Sequence, residues 1–342
     1  MLYWLVRALC WAAGHTPRRP RLVVAGALGE AIYWLWAAKR HVTVRNMAQV
    51  LGLPPEHPRV RWTARRSWRN YGRYVADFFY LPNTTVAAIA ARLRDTAPPL
   101  GWSGEMDRGR ALGSGALLVP TAHFGNWDVA GVMVGSHVPL HVIAETFPDP
   151  RLNDLVQRQR GALGMTVIPM ERTPRRILRV LQEGGAVATP VDRPLPAGEG
   201  VPVTFFGRRC YVPGGIAQLA LKTGAAIVPG FVYYDEDYSP TYYAFAAAPI
   251  LPESSGDRTA DTIALTQRIY DVIEGHVRAH PTQWYMFRPF WPDDEPSVAP
   301  EDTSARATSQ AAAATTPSVP PQADFAARKP LGAASSAIGK DG

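Results

Sequence analysis

Ala116-Leu117-Leu118-Val119-Pro120-Thr121-Ala122-His123-Phe124-Gly125-Asn126-Trp127-Asp128 passes from an apolar run, through a turn signal, into a segment with helical spacing. A short apolar run that ends at a glycine reads as a buried strand. Gly125 permits a tight turn, and Asn126 can cap a helix over 126–136 whose first turn holds Asp128. A strand that ends on a histidine and feeds straight into a helix is a building block of parallel sheets.

The same alternation continues on the C-terminal side. Apolar runs at 140–144, 166–169, 186–191, 201–206, 226–233 and 241–248 predict further strands. Helical spacing predicts helices over 151–163, 174–183, 214–223 and 258–279, and on the N-terminal side over 59–80 and around 84–95. The fold class is therefore α/β, with a central, mainly parallel sheet flanked by helices and with reactive groups at the carboxyl ends of the strands.

The chain has 342 residues and a formal net charge of +7. Residues 1–80 carry a disproportionate share of the basic side chains and only Glu30, Glu56 and Asp77 as acids, so the positive charge belongs to one end. Such a region seeks phosphate, whether of a lipid, a nucleic acid or a phosphorylated carrier. Cys10 and Cys210 stand far apart, which excludes a disulfide framework and any CxxC motif.

Residues 1–13 and 22–38 are apolar and rich in Trp, but the first is too short to span a bilayer and the second carries Glu30 at its middle. They fit interfacial helices, with Trp4, Trp11, Tyr33, Trp34 and Trp36 at the headgroup level and Arg18, Arg19, Arg21, Lys39 and Arg40 near lipid phosphate. Packing on a globular core is the alternative. On 59–80, Arg61, Arg65, Arg69 and Arg73 fall four apart and predict one cationic ridge, either solvated or facing phosphate. Beyond Trp291 the composition turns to Ala, Ser, Thr and Pro without periodicity, as in a disordered tail. The expected organisation is a membrane-associating segment at 1–39, a catalytic domain at 40–292 and a tail at 293–342.

Five residues along a regular helix turn through about 500°, so His123 and Asp128 can meet only if the histidine precedes the helix, as the turn at Gly125 allows. Asp128 could then accept from one imidazole nitrogen while the other removes a proton from a substrate hydroxyl. A purely structural hydrogen bond is the competing reading. Gly214 and Gly215 at a predicted helix start offer backbone N–H groups to a phosphate or an oxyanion, or serve close helix packing.

The segment HFGNWD at 123–128 resembles the H-x4-D/E motif of the bacterial lipid A biosynthesis acyltransferases (lauroyl and myristoyl transferases) and of the related actinobacterial phosphatidylinositol mannoside acyltransferases. These belong to the lysophospholipid acyltransferase-like superfamily. The likeness runs from Arg45-Asn46-Met47, through Arg66-Ser67-Trp68-Arg69-Asn70-Tyr71-Gly72-Arg73, to Gln283-Trp284-Tyr285-Met286-Phe287-Arg288-Pro289-Phe290-Trp291. It implies a glycerol-3-phosphate acyltransferase-like fold. The implied reaction moves a fatty acyl chain from acyl-coenzyme A or acyl carrier protein to a hydroxyl of a membrane glycolipid or phospholipid, a lipid A precursor or a phosphatidylinositol mannoside. It implies no metal and no further cofactor. The implied location is the cytoplasmic face of the bacterial cell membrane, peripheral or monotopic, with no nucleic-acid partner.

By the same resemblance His123 is the general base and Asp128 its partner. Arg160 matches a basic residue of the family, with Arg158 as the competing position, and Val191-Asp192-Arg193 resembles a D-x-D/R segment. Asp192 is expected to pair with Arg160, as part of the site or as a structural salt bridge. Arg158, Arg160, Asp192, Arg193 and Asn126 are the candidates for holding substrate, and Phe124, Trp127, Phe78 and Phe79 for lining an acyl groove. Some relatives carry an acid just before the FFG-like segment at 205–207, where this chain has Pro202 and, as the nearest acid, Glu199. A mechanism that requires that acid is not expected to operate here.

Two other classes compete with this reading. A basic membrane-surface or nucleic-acid adaptor suits the arginine-rich end and leaves HFGNWD without a role. A metal-dependent hydrolase would draw on His123, His137 and His141, yet no H-E-x-x-H is present. G-x-S-x-G, Walker and dinucleotide fingerprints are also absent.

Overall fold

A computed structural model describes residues 2–291 apart from 98, 145, 170–172 and 235–240. The expected tail at 293–342 lies outside the described residues. Three helices come first: α1 (Leu2–His15), α2 (Arg18–Leu35) and α3 (Ala37–Leu51). The long α4 (Pro58–Tyr80) follows, then α5 (Val86–Ala90), β1 (Leu93–Asp95) and α6 (Gly101–Leu112). The segment around 84–95 is thus a short helix and a strand, not one helix.

The alternating part is β2 (Leu117–Thr121), α7 (Trp127–His137), β3 (Leu140–Ala144), α8 (Pro150–Ala162), β4 (Met165–Pro169), α9 (Thr173–Gln182) and β5 (Ala186–Pro190). Next come β6 (Val201–Phe205), β7 (Arg208–Val212), α10 (Gly215–Thr223), β8 (Ala226–Ile227), β9 (Gly230–Tyr234), β10 (Tyr242–Ala246) and α11 (Arg258–Ala279). The central sheet has the order β4-β3-β5-β2-β8, and every pairing in it is parallel.

The expected strand 226–233 is split in two. Val228 donates to Leu118 from the central sheet, but Pro229 has no N–H to continue the ladder, and β9 pairs antiparallel with β10 instead. Sequence reading missed β7, which forms a hairpin with β6 over Phe206-Gly207, both at positive φ.

Successive strand residues point to opposite faces. Leu118, Val187 and Ile168 meet Ile177 of α9, Ile216 of α10 and Ile273 of α11 on one face. Leu117, Val119, Ala186 and Leu140 meet Met106 of α6 and Val129 and Val132 of α7 on the other. The sheet is covered on both sides, as a parallel sheet requires.

The arginine ridge does not face phosphate along its length. At the crossing of α2 and α4, a Cβ on Gly29 would lie 2.3 Å from the Trp68 carbonyl oxygen and one on Gly72 would lie 2.2 Å from that of Ala25. This close approach brings Glu30 of α2 against the ridge, where it pairs with Arg65 at 3.2 Å and Arg69 at 2.7 Å. Arg73 is buried and donates to Asn70. Glu30 thus answers the middle two arginines of the ridge, while Arg73 turns inward and Arg61 is exposed. Tyr33, expected at the headgroup level, is buried in the same contact, whereas Trp4, Trp11, Trp34 and Trp36 are exposed.

No single helix among the described residues is long and apolar enough to cross a membrane. Helices α2 and α3 meet that test only as a pair bent by 99°.

Candidate active site

Residues 121–128 fold as their chemistry dictates, with one exception. Gly125 has φ +58°, and the Asn126 side chain caps α7 by accepting from the Val129 N–H at 3.0 Å. The turn is pinned from both sides, because Gly125 N–H donates to Gln283 and Asn126 N–H to Val232. A Cβ on Gly125 would sit 2.0 Å from the Val232 carbonyl oxygen. Gly125→Ala should therefore cost more than about 2 kcal/mol, through backbone strain and this clash together. The loss should be visible as a lower urea midpoint with an unchanged m-value.

The exception is the partner of His123. Asp128 does not meet the imidazole. Its carboxylate accepts from Arg160 Nε at 2.8 Å and from the Tyr74 hydroxyl at 2.8 Å. The imidazole Nδ1 lies 2.8 Å from Asp192 Oδ1. The expected pairings, His123 with Asp128 and Arg160 with Asp192, are therefore exchanged.

Sheet register supplies the reason. Strands β2 and β5 are parallel neighbours with Thr121 opposite Pro190, so two residues beyond each strand end His123 stands opposite Asp192. Asp128, already inside α7, is carried round toward α4 and α8.

Asp192 is fully buried. It also accepts the His123 backbone N–H at 3.0 Å and Trp284 Nε1–H at 2.9 Å. Burial alone would raise its pKa, but these donors and the charge on His123 hold it below the usual carboxylate value. For His123, burial lowers the pKa, the Asp192 carboxylate raises it more, and the net result is above the ordinary imidazole value. With an ionised carboxylate against Nδ1, the neutral ring carries its proton on Nδ1 and leaves Nε2 as the lone-pair nitrogen. The side chain is 40% exposed.

His123 lies in the wall of a cavity of about 1180 Å³ that also takes in Trp127, Asp128, Arg160, Asp192 and Arg193. The size is at or above the upper end of the roughly 300–1,000 Å³ usual for small-molecule sites. One part runs between α7 and the sheet, lined by Val119, Met133, Val134, Leu140 and Met165. Ile32, Trp36 and Lys39 line it as well and are themselves at least partly exposed, so the cavity reaches the surface near the junction of α2 and α3.

Five expected site residues lie elsewhere. Phe124 is fully buried and packs edge-on against Phe231 and Tyr233 in the core on the other face of the sheet. Phe78 and Phe79 pack with Val6, Leu152 and Val156 beneath α1. Asn126 is buried, with its side chain spent on the α7 cap and on the Tyr234 hydroxyl. Arg158, two positions from Arg160 on α8, points to solvent and does not line the cavity. Glu199 is likewise exposed and away from it. Gly215 and Ile216 line the cavity, whereas Gly214 is packed against Val201, where a Cβ would come within 2.3 Å.

Sequence reading missed the roles of Trp284, Tyr74 and Arg288. Asn46 donates to the carbonyls of Met286 at 2.9 Å and Arg288 at 2.8 Å, and the Tyr285 N–H donates to the His123 carbonyl. These bonds hold the segment 284–288 against the site and place Arg288 in the cavity wall. Among the described residues no three His, Cys, Asp or Glu side chains are grouped so as to hold a metal.

Comparison with known proteins gives one family and several relatives. Residues 1–292 match the family described as bacterial lipid A biosynthesis acyltransferase. A phosphatidylinositol mannoside acyltransferase of Mycobacterium tuberculosis strain H37Rv is 33% identical over 253 residues, covering 72% of this chain and 75% of the relative. One of Mycolicibacterium smegmatis is 32% identical over 252 residues, covering 72% of this chain and 78% of the relative.

Proposed function

From the chain's membership of the bacterial lipid A biosynthesis acyltransferase family, we propose that it transfers a fatty acyl chain from a thioester donor to a hydroxyl of a phosphatidylinositol mannoside-type glycolipid at a membrane surface. The observation that carries this reading is a single partly open imidazole, braced by a buried carboxylate, in the wall of a large and mainly apolar cavity.

The donor is acyl-coenzyme A or an acyl carrier protein, since both present a thioester on a phosphopantetheine arm. His123 Nε2 takes the proton from the acceptor hydroxyl as its oxygen attacks the thioester carbonyl. The C–S bond then breaks, the sulfur leaves with the electron pair, and the imidazolium returns the proton to it. The products are an ester and a free thiol. Asp192 holds the tautomer and stabilises the imidazolium in the step between.

Arg160, Arg193 and Arg288 give the site its cationic lining, suited to phosphate of donor or acceptor. Asp128 and Tyr74 fix Arg160 in place, a positioning role distinct from the braced base. The apolar limb between α7 and the sheet takes the acyl chain, and each CH2 buried there contributes about 0.8 kcal/mol. The exposed Trp side chains of the N-terminal helices suit peripheral attachment to the cytoplasmic face of a membrane.

The test is direct. Purified protein is incubated with a long-chain acyl-coenzyme A and a phosphatidylinositol mannoside, released thiol is titrated, and the lipid is weighed by mass spectrometry. Acceptor heavier by one acyl group, in step with thiol release, is the expected result. Thiol release without acylated lipid, or neither signal, defeats the proposal. Arg160→Gln should raise the KM of the phosphate-bearing substrate about tenfold with a smaller change in kcat, the pattern of lost binding.

A further inference from the structure

Helix α2 is apolar on two opposite sides. Leu22, Gly26, Gly29 and Tyr33 are buried. Val24, Leu28, Ile32 and Leu35, spaced four, four and three apart, form a second stripe on the outside. This stripe remains uncovered, with Leu28 61% and Leu35 84% exposed. A soluble helix normally turns a polar face outward, so among the described residues the packing gives the second stripe no explanation.

The stripe runs to the 99° elbow between α2 and α3, where Trp34 and Trp36 are also exposed. Lys39 and Arg40 follow the elbow, anchored by hydrogen bonds to the carbonyls of Phe287, Tyr33 and Trp34. Helices α2 and α3 together hold six basic residues and one acid; Arg18 and Arg21 turn to Asp77 of α4, Arg19, Lys39, Arg40 and Arg45 are exposed or partly exposed, and the acid, Glu30, is engaged by Arg65 and Arg69. Apolar side chains at a bend, tryptophans beside them and cations just behind are arranged as the depth profile of an anionic bilayer demands. The stripe also meets the cavity, because its Ile32 lines the cavity wall together with Trp36 and Lys39 of the elbow.

We propose that the α2–α3 elbow is the segment inserted into an anionic bilayer, and that the lipid acceptor passes from the bilayer into the cavity alongside Ile32 and Trp36. The second clause rests on the acyl-transfer reading, and the first does not. The orientation puts the reacting hydroxyl at headgroup depth, beside His123, without extracting the lipid into water.

The experiment uses the full chain and vesicles of equal parts phosphatidylcholine and phosphatidylglycerol. Leu28 and Leu35 do not line the cavity, so Leu28→Asp with Leu35→Asp tests the surface without touching the site. Cosedimentation of this variant should weaken about tenfold or more. Trp4→Asp with Trp11→Asp on α1 should weaken it less. Transfer to acceptor embedded in vesicles should fall with the first variant, and transfer to the same acceptor in detergent micelles should not.

A Leu35→Cys variant carrying an environment-sensitive nitrobenzoxadiazole label, in a Cys10→Ser background, should shift to the blue when vesicles are added. That measurement does not depend on whether the Asp variant folds. Unchanged sedimentation of the Asp variant, a label that stays in water, or loss of self-association in place of lost vesicle binding would each overturn the elbow as an insertion site. Equal transfer by wild type and variant in vesicles overturns the loading route. Failure of the wild type to transfer in either presentation defeats the acyl-transfer reading instead, and sedimentation and the label still decide the elbow.

Discussion

His123→Ala is expected to lower kcat for acyl transfer by about 10²–10⁴-fold, the usual worth of a positioned general base and roughly 3–5 kcal/mol of barrier. The fold should survive, because the side chain is 40% exposed in the cavity wall and its backbone contacts do not depend on the ring. Asp192 loses one hydrogen bond but keeps the His123 N–H and Trp284. The KM of the donor should change little, since the imidazole acts on a proton in flight and adds little to ground-state binding. The measurement is kcat and KM by thiol release, beside a urea unfolding curve of the same preparation. A folded variant that keeps near-wild-type turnover would remove His123 from the mechanism, and with it the chemical part of the proposal.

The strand, turn and cap around His123 were legible because each is local. An apolar run, a glycine that must take positive φ and an asparagine three residues before the N–H it caps are written in consecutive positions. The parallel character of the central sheet followed from alternation alone. The identity of the histidine's partner was not legible, because it depends on which strands are neighbours. Thr121 faces Pro190 only once β2 and β5 pair, and no periodicity within either strand announces that pairing.

The phenylalanines illustrate the same limit. Phe124 is next to the base in sequence yet turns into the opposite core, and Phe78 and Phe79 lie under α1. Residue type pointed to a lipid groove, whereas the direction of each side chain came from packing. The arginine ridge was real as a helical face, and its answer, Glu30, sat on another helix brought close by two glycines. The tryptophan that steadies Asp192 comes from position 284, far along the chain, and carries no local mark of that role.

The exchange of partners makes the two carboxylates separable by experiment, and Asp192→Asn is the decisive variant. Asp192 raises the His123 pKa above its ordinary value against the opposing pull of burial and of Arg193 and Arg288. A base must be neutral to work, so in the wild type kcat/KM should climb with pH through a limb placed above the usual imidazole pKa. Removing the carboxylate charge leaves the lowering influences in control, and the limb should move to more acidic pH. The plateau should fall about 10²-fold at the same time, because the amide neither stabilises the imidazolium nor fixes the Nδ1–H tautomer as firmly. Asp128→Asn should behave differently, weakening the hold on Arg160 and raising KM while the acid limb stays in place. A purely structural Asp192 would lower the amount of folded enzyme without moving the limb. If the limb moved with Asp128→Asn and stayed fixed with Asp192→Asn, the imidazole in the working enzyme would be paired with Asp128 after all, and the assignment of Asp192 as its brace would be wrong.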